Sequence, residues 1–115
     1  MIHLSCHCGA VRLSVPALPE KLTSCNCSVC RRTATLMGYY EQGAVRIEGA
    51  TDGYEHGDRS LSLRRCKACG VVTHWESLDP AVTRMGVNFR NAEPEVVAAI
   101  PVRRFDGADS WTFLD

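Results

Sequence analysis

The sequence predicts an all-β domain of short antiparallel strands, and three observations lead to this fold class. Apolar and polar residues alternate over residues 10–15 and again over 45–49, as they do in half-buried strands. Residues 61–65 and 71–76 are rich in β-forming side chains and flank a short turn, so we expect them to pair as a hairpin. A helix is indicated only at residues 93–100, where Pro94 suits the first turn.

The remaining elements are short and bounded by glycine or proline. In chain order, the predicted strands are residues 10–15, 38–41, 45–49, 61–65, 71–76 and 85–89. Residues 50–58 contain two glycines and are predicted as a loop or the start of a weak hairpin. Residues 102–114 contain three aromatic side chains, which we expect to pack back on the sheets. Short strands joined by small turns favour a sandwich-like or tent-like arrangement.

Length and charge restrict the class of protein. A chain of 115 residues predicts a single domain over residues 1–115. The formal net charge is zero and no charge run stands out, so nucleic acid is not an expected partner. The first residues lack a signal-like pattern and no apolar run could span a bilayer, which predicts a cytoplasmic protein without a membrane contact. The oligomeric state stays unassigned.

A first set of cysteines, Cys25, Cys27 and Cys30, lies within six residues. Three sulfurs leave one unpaired, and near neighbours form disulfides only with strain, so a shared metal ion is the better explanation. In an extended backbone Cys25 and Cys27 leave on the same face, and a turn through residues 28–29 can bring Cys30 to meet them. Three protein ligands are typical of a catalytic zinc site, which leaves the fourth position to water or substrate.

The other four cysteines form two pairs, each followed by a glycine. These are Cys6 and Cys8 with Gly9, and Cys66 and Cys69 with Gly70. Together they predict one structural zinc site with four sulfur ligands. A glycine after each pair suits a turn that needs a positive φ or a close approach of the backbone to the metal. The chain is therefore predicted to bind two zinc ions, and seven thiolates with two Zn²⁺ would change the formal charge to about −3.

Three ordered motifs carry a family resemblance. They are Cys6-His7-Cys8-Gly9-Ala10-Val11, Cys25-Asn26-Cys27-Ser28-Val29-Cys30-Arg31-Arg32, and Cys66-Lys67-Ala68-Cys69-Gly70. This set resembles the glutathione-dependent formaldehyde-activating (GFA) family, which includes the centromere protein V type. The resemblance implies an Mss4-like β-tent fold with a structural zinc at the four-cysteine site and a catalytic zinc at the three-cysteine site. It also implies a carbon–sulfur lyase that condenses glutathione with formaldehyde to S-(hydroxymethyl)glutathione.

The chemistry of the three-cysteine site agrees with a thiol substrate. Three thiolates more than cancel the charge of zinc, so bound water is acidified less than at histidine-rich sites and hydrolysis is not favoured. A soft ion suits a fourth sulfur, which would hold glutathione or a similar thiol beside an aldehyde carbon. Arg31 and Arg32 could bind a substrate carboxylate through paired hydrogen bonds, or could form an ordinary solvated turn.

Two alternatives remain open at this point. The three cysteines could belong to a zinc-binding interaction module, closed by His56, His74 or a partner chain. They could also form a redox-sensitive site that loses its metal and oxidises. His74 is more simply a hydrogen-bonded strand residue and His56 a loop residue exposed to solvent. Asn26 and Ser28 are predicted to donate hydrogen bonds to the thiolates.

Overall fold

The computed structural model describes residues 1–115 and contains ten strands with two short helices. The strands are β1 (Ile2–Ser5), β2 (Arg12–Val15), β3 (Leu22–Cys25), β4 (Met37–Glu41), β5 (Arg46–Glu48), β6 (Thr51–Tyr54), β7 (Leu61–Cys66), β8 (Val72–Ser77), β9 (Arg84–Asn88) and β10 (Val102–Phe105). The helices are α1 (Cys30–Thr33) and α2 (Pro94–Ala98), and single 3₁₀ turns occur at Gln42–Ala44 and Phe89–Asn91. The predicted all-β class is confirmed. Neither helix has the length and apolar character needed to cross a membrane.

The strands form two sheets. Three of them pair in the order β1-β2-β5, and the other seven pair in the order β10-β3-β4-β9-β8-β7-β6. All pairs are antiparallel except β10 with β3, which run parallel with Val102 beside Leu22 and Phe105 beside Cys25. Parallel neighbours end at the same edge of a sheet, so the chain leaving β10 emerges next to the chain leaving β3. This pairing places residues after Phe105 beside the three-cysteine segment.

The hydrophobic core lies between the two sheets. Leu4 and Leu13 from the smaller sheet and Leu22 and Val87 from the larger one are each at most 2% exposed. They belong to the same buried cluster as Phe89, whose ring is inaccessible to solvent. Two of the cysteines, Cys6 at 3% and Cys66 at 1% exposure, are members of this cluster, so the predicted four-cysteine site lies at the edge of the core.

The predicted hairpin is present, and its neighbourhood shows where local patterns were insufficient. β7 pairs with β8 from Leu61 beside Ser77 to Arg65 beside Val72, with an irregularity at Arg64/Arg65. Residues 50–58, predicted as a loop or the start of a weak hairpin, contain β6, which pairs antiparallel with the edge of β7, so the hairpin alternative is confirmed. Three strands, β1, β3 and β10, were not predicted.

The predicted helix is present but shorter than expected, and the tail forms contacts of its own. α2 occupies only Pro94–Ala98, with its proline in the first turn as predicted. A second helix, α1, was not predicted and begins at Cys30. In the tail, the ring of Phe105 on β10 packs edge-on against Trp111 at 5.1 Å and Phe113 at 5.0 Å between ring centroids. Arg103 of β10 lies over the Phe113 ring, so these aromatic residues pack on one another at the edge of the larger sheet.

Candidate metal centres

The cysteines of the two sequence-distant pairs meet in space. The sulfur atoms of Cys6, Cys8, Cys66 and Cys69, the four-cysteine group, all lie within 4.8 Å of one another. The Sγ of Cys8 is 3.7 Å from the Sγ of Cys6 and 3.7 Å from that of Cys66. Four sulfurs around a tetrahedral zinc, at Zn–S bonds of about 2.3 Å, are separated by about 3.8 Å. The spacing therefore fits a shared metal ion and is far too long for a disulfide.

The turns that carry these cysteines are shaped by glycine and by amide-to-sulfur hydrogen bonds. Gly9 and Gly70 have φ of +82° and +79°, and a Cβ added to either would meet no atom within 4 Å. The reason for glycine is thus the left-handed backbone and not a close approach. The amide of Val11 donates to the Sγ of Cys6 at 3.3 Å, and that of Cys69 donates to the Sγ of Cys66 at 3.4 Å. Such bonds favour the thiolate form that binds a metal.

The three remaining cysteines form a second cluster. Cys25 ends β3, Cys27 lies in the following turn, and Cys30 is the first residue of α1. Their sulfurs, the three-cysteine group, lie within 4.8 Å of one another, and no ligand atom of another cysteine, histidine, aspartate or glutamate joins the set. The amide of Cys30 donates to the Sγ of Cys27 at 3.4 Å, the same i to i+3 bond that Cys69 makes to Cys66. The repeated turn indicates that the backbone of both groups is shaped to present its cysteine sulfurs to a metal ion.

Neither candidate histidine joins the three-cysteine group. The ring of His74 is 1% exposed, its Nδ1 lies 2.8 Å from the hydroxyl of Thr73, and its Nε2 lies 3.6 Å from a carboxylate oxygen of Glu76. The ring of His56 stacks on Tyr54 with centroids 5.4 Å apart. His74 is therefore the hydrogen-bonded strand residue that the sequence favours, although it is fully rather than half buried.

The thiols within each group compete for negative charge. Burial raises the pKa of Cys30, and the adjacent Cys27 thiolate raises it further. At Cys27 burial also opposes ionisation, but hydrogen bonds from the thiol and amide of Cys30 outweigh it and lower the pKa. In the four-cysteine group, backbone amides, first that of Val71, lower the pKa of Cys69 to about 6. A divalent cation would remove this competition, because it supplies the positive charge that lets neighbouring thiols ionise together.

A cavity of about 420 Å³ lies beside the three-cysteine group and is lined by Cys25 and Cys30. Arg31 also lines it, whereas Arg32 is not part of the lining and donates its Nη1 to the carbonyl of Ser28 at 2.7 Å. A larger groove, of about 770 Å³, crosses the three-stranded sheet and is lined by none of the three cysteines. The smaller cavity is the one adjacent to the candidate chemistry.

A loop that follows β10 packs against the three-cysteine group. The side chain of Asn26 donates to the Oδ1 of Asp106 at 3.0 Å and accepts from the amide of Ala108 at 3.0 Å. The prediction that Asn26 donates to a thiolate is therefore wrong, because its amide group holds this loop instead. Between the two bonds lies Gly107, where an added Cβ would be 2.5 Å from the Sγ of Cys25.

Comparison with known proteins decides the family. A family model described as "Glutathione-dependent formaldehyde-activating enzyme" matches residues 1–98, a range that includes all seven cysteines. The chain belongs to this family. A protein of Halomonas elongata named "Putative glutathione-dependent formaldehyde-activating enzyme" is 36% identical over 74 residues, which are 63% of this chain and 45% of the relative. The GFA chain thus spans less than half the length of that relative.

A solved structure is similar to this GFA chain over most of its length. The crystal structure of a Rhodobacter sphaeroides protein superposes with a TM-score of 0.71 at 27% sequence identity. The similarity covers 88% of this chain and 99% of the other.

Several residues around the GFA site escaped sequence analysis. Arg90 and Arg104 line the cavity beside Cys25, and Gly107 packs on its sulfur. They lie 65 or more positions away from Cys25 and carry no motif. Arg104 and Gly107 also lie beyond the residues matched by the family model. Only the pairing of β10 with β3 brings these two residues to the site.

Proposed function

We propose that this GFA-family chain is a zinc-dependent carbon–sulfur lyase that acts on the adduct of a thiol with formaldehyde or another small aldehyde. The supporting observation is the three-cysteine group, which has no fourth ligand residue within 4.8 Å and lies beside an arginine-lined cavity. Glutathione is the first candidate thiol because of the family and of the name of the Halomonas elongata relative. The choice of glutathione as the thiol and of formaldehyde as the aldehyde is itself proposed.

Under this proposal the two cysteine groups have different tasks. Cys6, Cys8, Cys66 and Cys69 hold a structural zinc that ties the start of the chain to the β7–β8 turn. Cys25, Cys27 and Cys30 hold a second zinc, which supplies a soft Lewis acid able to keep a substrate thiol ionised. Because both sites need reduced cysteines, we place the protein in a reducing compartment such as the cytoplasm.

The proposed reaction forms a bond between the two substrates, and side chains of the protein hold the thiol in position. In the synthetic direction the substrate sulfur attacks the aldehyde carbon and a carbon–sulfur bond forms. The π bond of the carbonyl breaks, and the aldehyde oxygen keeps its electron pair and takes up the proton released by the thiol. Arg31 lies at the cavity and would hold a carboxylate of the thiol through paired hydrogen bonds. Arg32 does not line the cavity and donates to the Ser28 carbonyl, so Arg31 is the better candidate of the two.

The test uses cobalt in place of zinc, because cobalt reports its ligands by absorption. Glutathione should shift the bands of the metal in the three-cysteine group, and the protein should accelerate exchange between glutathione, formaldehyde and S-(hydroxymethyl)glutathione measured by NMR. The Cys27→Ser variant should lose both effects. Thiol binding without faster exchange would reject formaldehyde and glutathione as the substrate pair. A cobalt spectrum of four protein ligands that ignores every thiol would support the interaction module instead.

A further inference from the structure

The cavity beside the three-cysteine group is cationic even when the charge of about −1 of a zinc ion held by three thiolates is counted. Three arginines line it, Arg31 from α1, Arg90 from the turn after β9, and Arg104 from β10, and no aspartate or glutamate is among the lining residues. Guanidinium groups stay protonated at all physiological pH values, so their positive charges persist together in this space. A cavity lined by one sign of charge attracts ligands of the opposite sign.

The carboxylates of the protein neutralise this charge only in part. Neither Arg31 nor Arg90 has a carboxylate oxygen within 4.0 Å. Arg104 lies 3.3 Å from Asp115, but the same carboxylate lies 3.8 Å from Arg103 and so serves two arginines. At least two guanidinium groups at the cavity therefore have no protein counter-ion.

Arg90 is also held in place. Its Nε donates at 2.9 Å to the carbonyl of Ala34, the residue that ends α1 with a left-handed φ of 54°. This bond satisfies a carbonyl at the end of the helix and leaves the two terminal nitrogens of Arg90 free to donate. A guanidinium fixed through Nε is prepared to bind a carboxylate with little further loss of side-chain entropy.

We propose that Arg90 and Arg104 are specificity-determining residues that select thiols carrying carboxylates remote from the sulfur. The inference rests on the proposed function, since it assumes that the substrate sulfur lies at the three-cysteine group. All three arginines line the same cavity as Cys25 and Cys30, so a thiol whose sulfur lies at these cysteines can place its carboxylates among the guanidinium groups. Small neutral thiols such as 2-mercaptoethanol lack the negative charges that these arginines bind. Glutathione, with two carboxylates, carries such charges.

The experiment separates recognition of charge from binding of the sulfur to metal. S-methylglutathione has a blocked sulfur and keeps both carboxylates, whereas its diethyl ester keeps the shape and loses both negative charges. Binding of each to the zinc-loaded protein is followed by NMR titration. The parent protein should bind the acid at least ten times more tightly than the ester. Added salt should weaken the binding of the acid and leave the binding of the ester unchanged.

Variants then identify the residues responsible. The Arg90→Gln, Arg104→Gln double variant should bind S-methylglutathione about 10–100-fold more weakly, which is the usual worth of charge-assisted hydrogen bonds, while ester binding stays unchanged. Arg46→Gln is the matched control, because Arg46 lies on β5 of the other sheet and lines the other groove. Zinc content is measured for every variant, and Arg104→Gln alone serves if the Arg90 change disturbs α1.

Equal binding of acid and ester by the parent, or unchanged acid binding by the double variant, would overturn the proposal. The outcome is independent of catalysis, because the blocked sulfur cannot react. If the arginines select the acid but no carbon–sulfur exchange is catalysed, the proposed function fails and this inference stands. If exchange is catalysed with no dependence on these arginines, the proposed function stands and this inference fails.

Discussion

Gly107 packs so closely on Cys25 that a methyl group added to its α-carbon would lie 2.5 Å from the cysteine sulfur. The two residues are brought together by the parallel pairing of β3 with β10, in which Cys25 lies beside Phe105. The side chain of Asn26 then binds both neighbours of Gly107, Asp106 and Ala108. The last part of the chain is thus a wall of the three-cysteine group.

Gly107→Ala should weaken metal binding at the three-cysteine group selectively. The new methyl group must displace the Cys25 sulfur or the loop, since real Cβ atoms do not approach other atoms to 2.5 Å. We expect the metal affinity of this group to fall about 10–100-fold, as it does when supporting contacts of metal ligands are lost. Chelator competition measures the change. Gly43→Ala is the control, because its Cβ would meet nothing within 4 Å, and an equal effect of both variants would contradict the prediction.

Asn26→Ala should loosen the loop without unfolding the sheets. Two hydrogen bonds between Asn26 and the loop are lost, each worth about 0.5–1.5 kcal/mol in net stability. The Ala108 amide, which donates to Asn26, should exchange with solvent faster, while amides of the β4–β9 ladder keep their protection. Hydrogen exchange by NMR makes the measurement. In Ser28→Ala, which loses no side-chain hydrogen bond, the Ala108 amide should exchange as in the parent.

Cys66→Ser and Cys27→Ser should separate stability from activity. The parent is expected to bind two zinc ions per chain. Cys66 is 1% exposed and belongs to the core cluster, so its loss removes both a buried sulfur and a ligand of the zinc that we propose to link two distant segments. Its midpoint of thermal unfolding should drop sharply. Cys27→Ser should retain one zinc and a midpoint near that of the parent, and comparable damage in both variants would make the three-cysteine group structural.

His74 should make the folded state less stable in acid. Burial lowers the pKa of His74, an effect that Arg64 reinforces and Glu76 opposes. Below the ordinary histidine pKa of about 6.5 the unfolded chain therefore binds more protons than the folded one. The contribution of His74 to stability is complete above that pH and is lost as the pH falls toward the lowered folded value. Chemical unfolding of zinc-loaded protein between pH 7.5 and 5.5 should show a smaller loss for His74→Gln than for the parent.

Much of the fold was predictable because it depends on local patterns. The β7–β8 hairpin follows from two β-forming segments separated by one short turn. Gly9 and Gly70 mark left-handed positions that the adjacent cysteine turns require. For residues 50–58 the two glycines left a loop and a weak hairpin both open, and the pairing of β6 with β7 decides for the hairpin.

The sequence by itself determined the two cysteine groups, including the contact between Cys8 and Cys66 across the chain. This distant contact was predictable because a metal ion requires a set of ligands, and four plus three sulfurs is the division that the spacing allows. No comparable chemical requirement predicts which other residues surround the three-cysteine group. Arg90, Arg104 and Gly107 reach it only through strand pairing and register. Exposed arginines and a single glycine on short segments leave no periodic signal, so only the tertiary structure decided what lines the site.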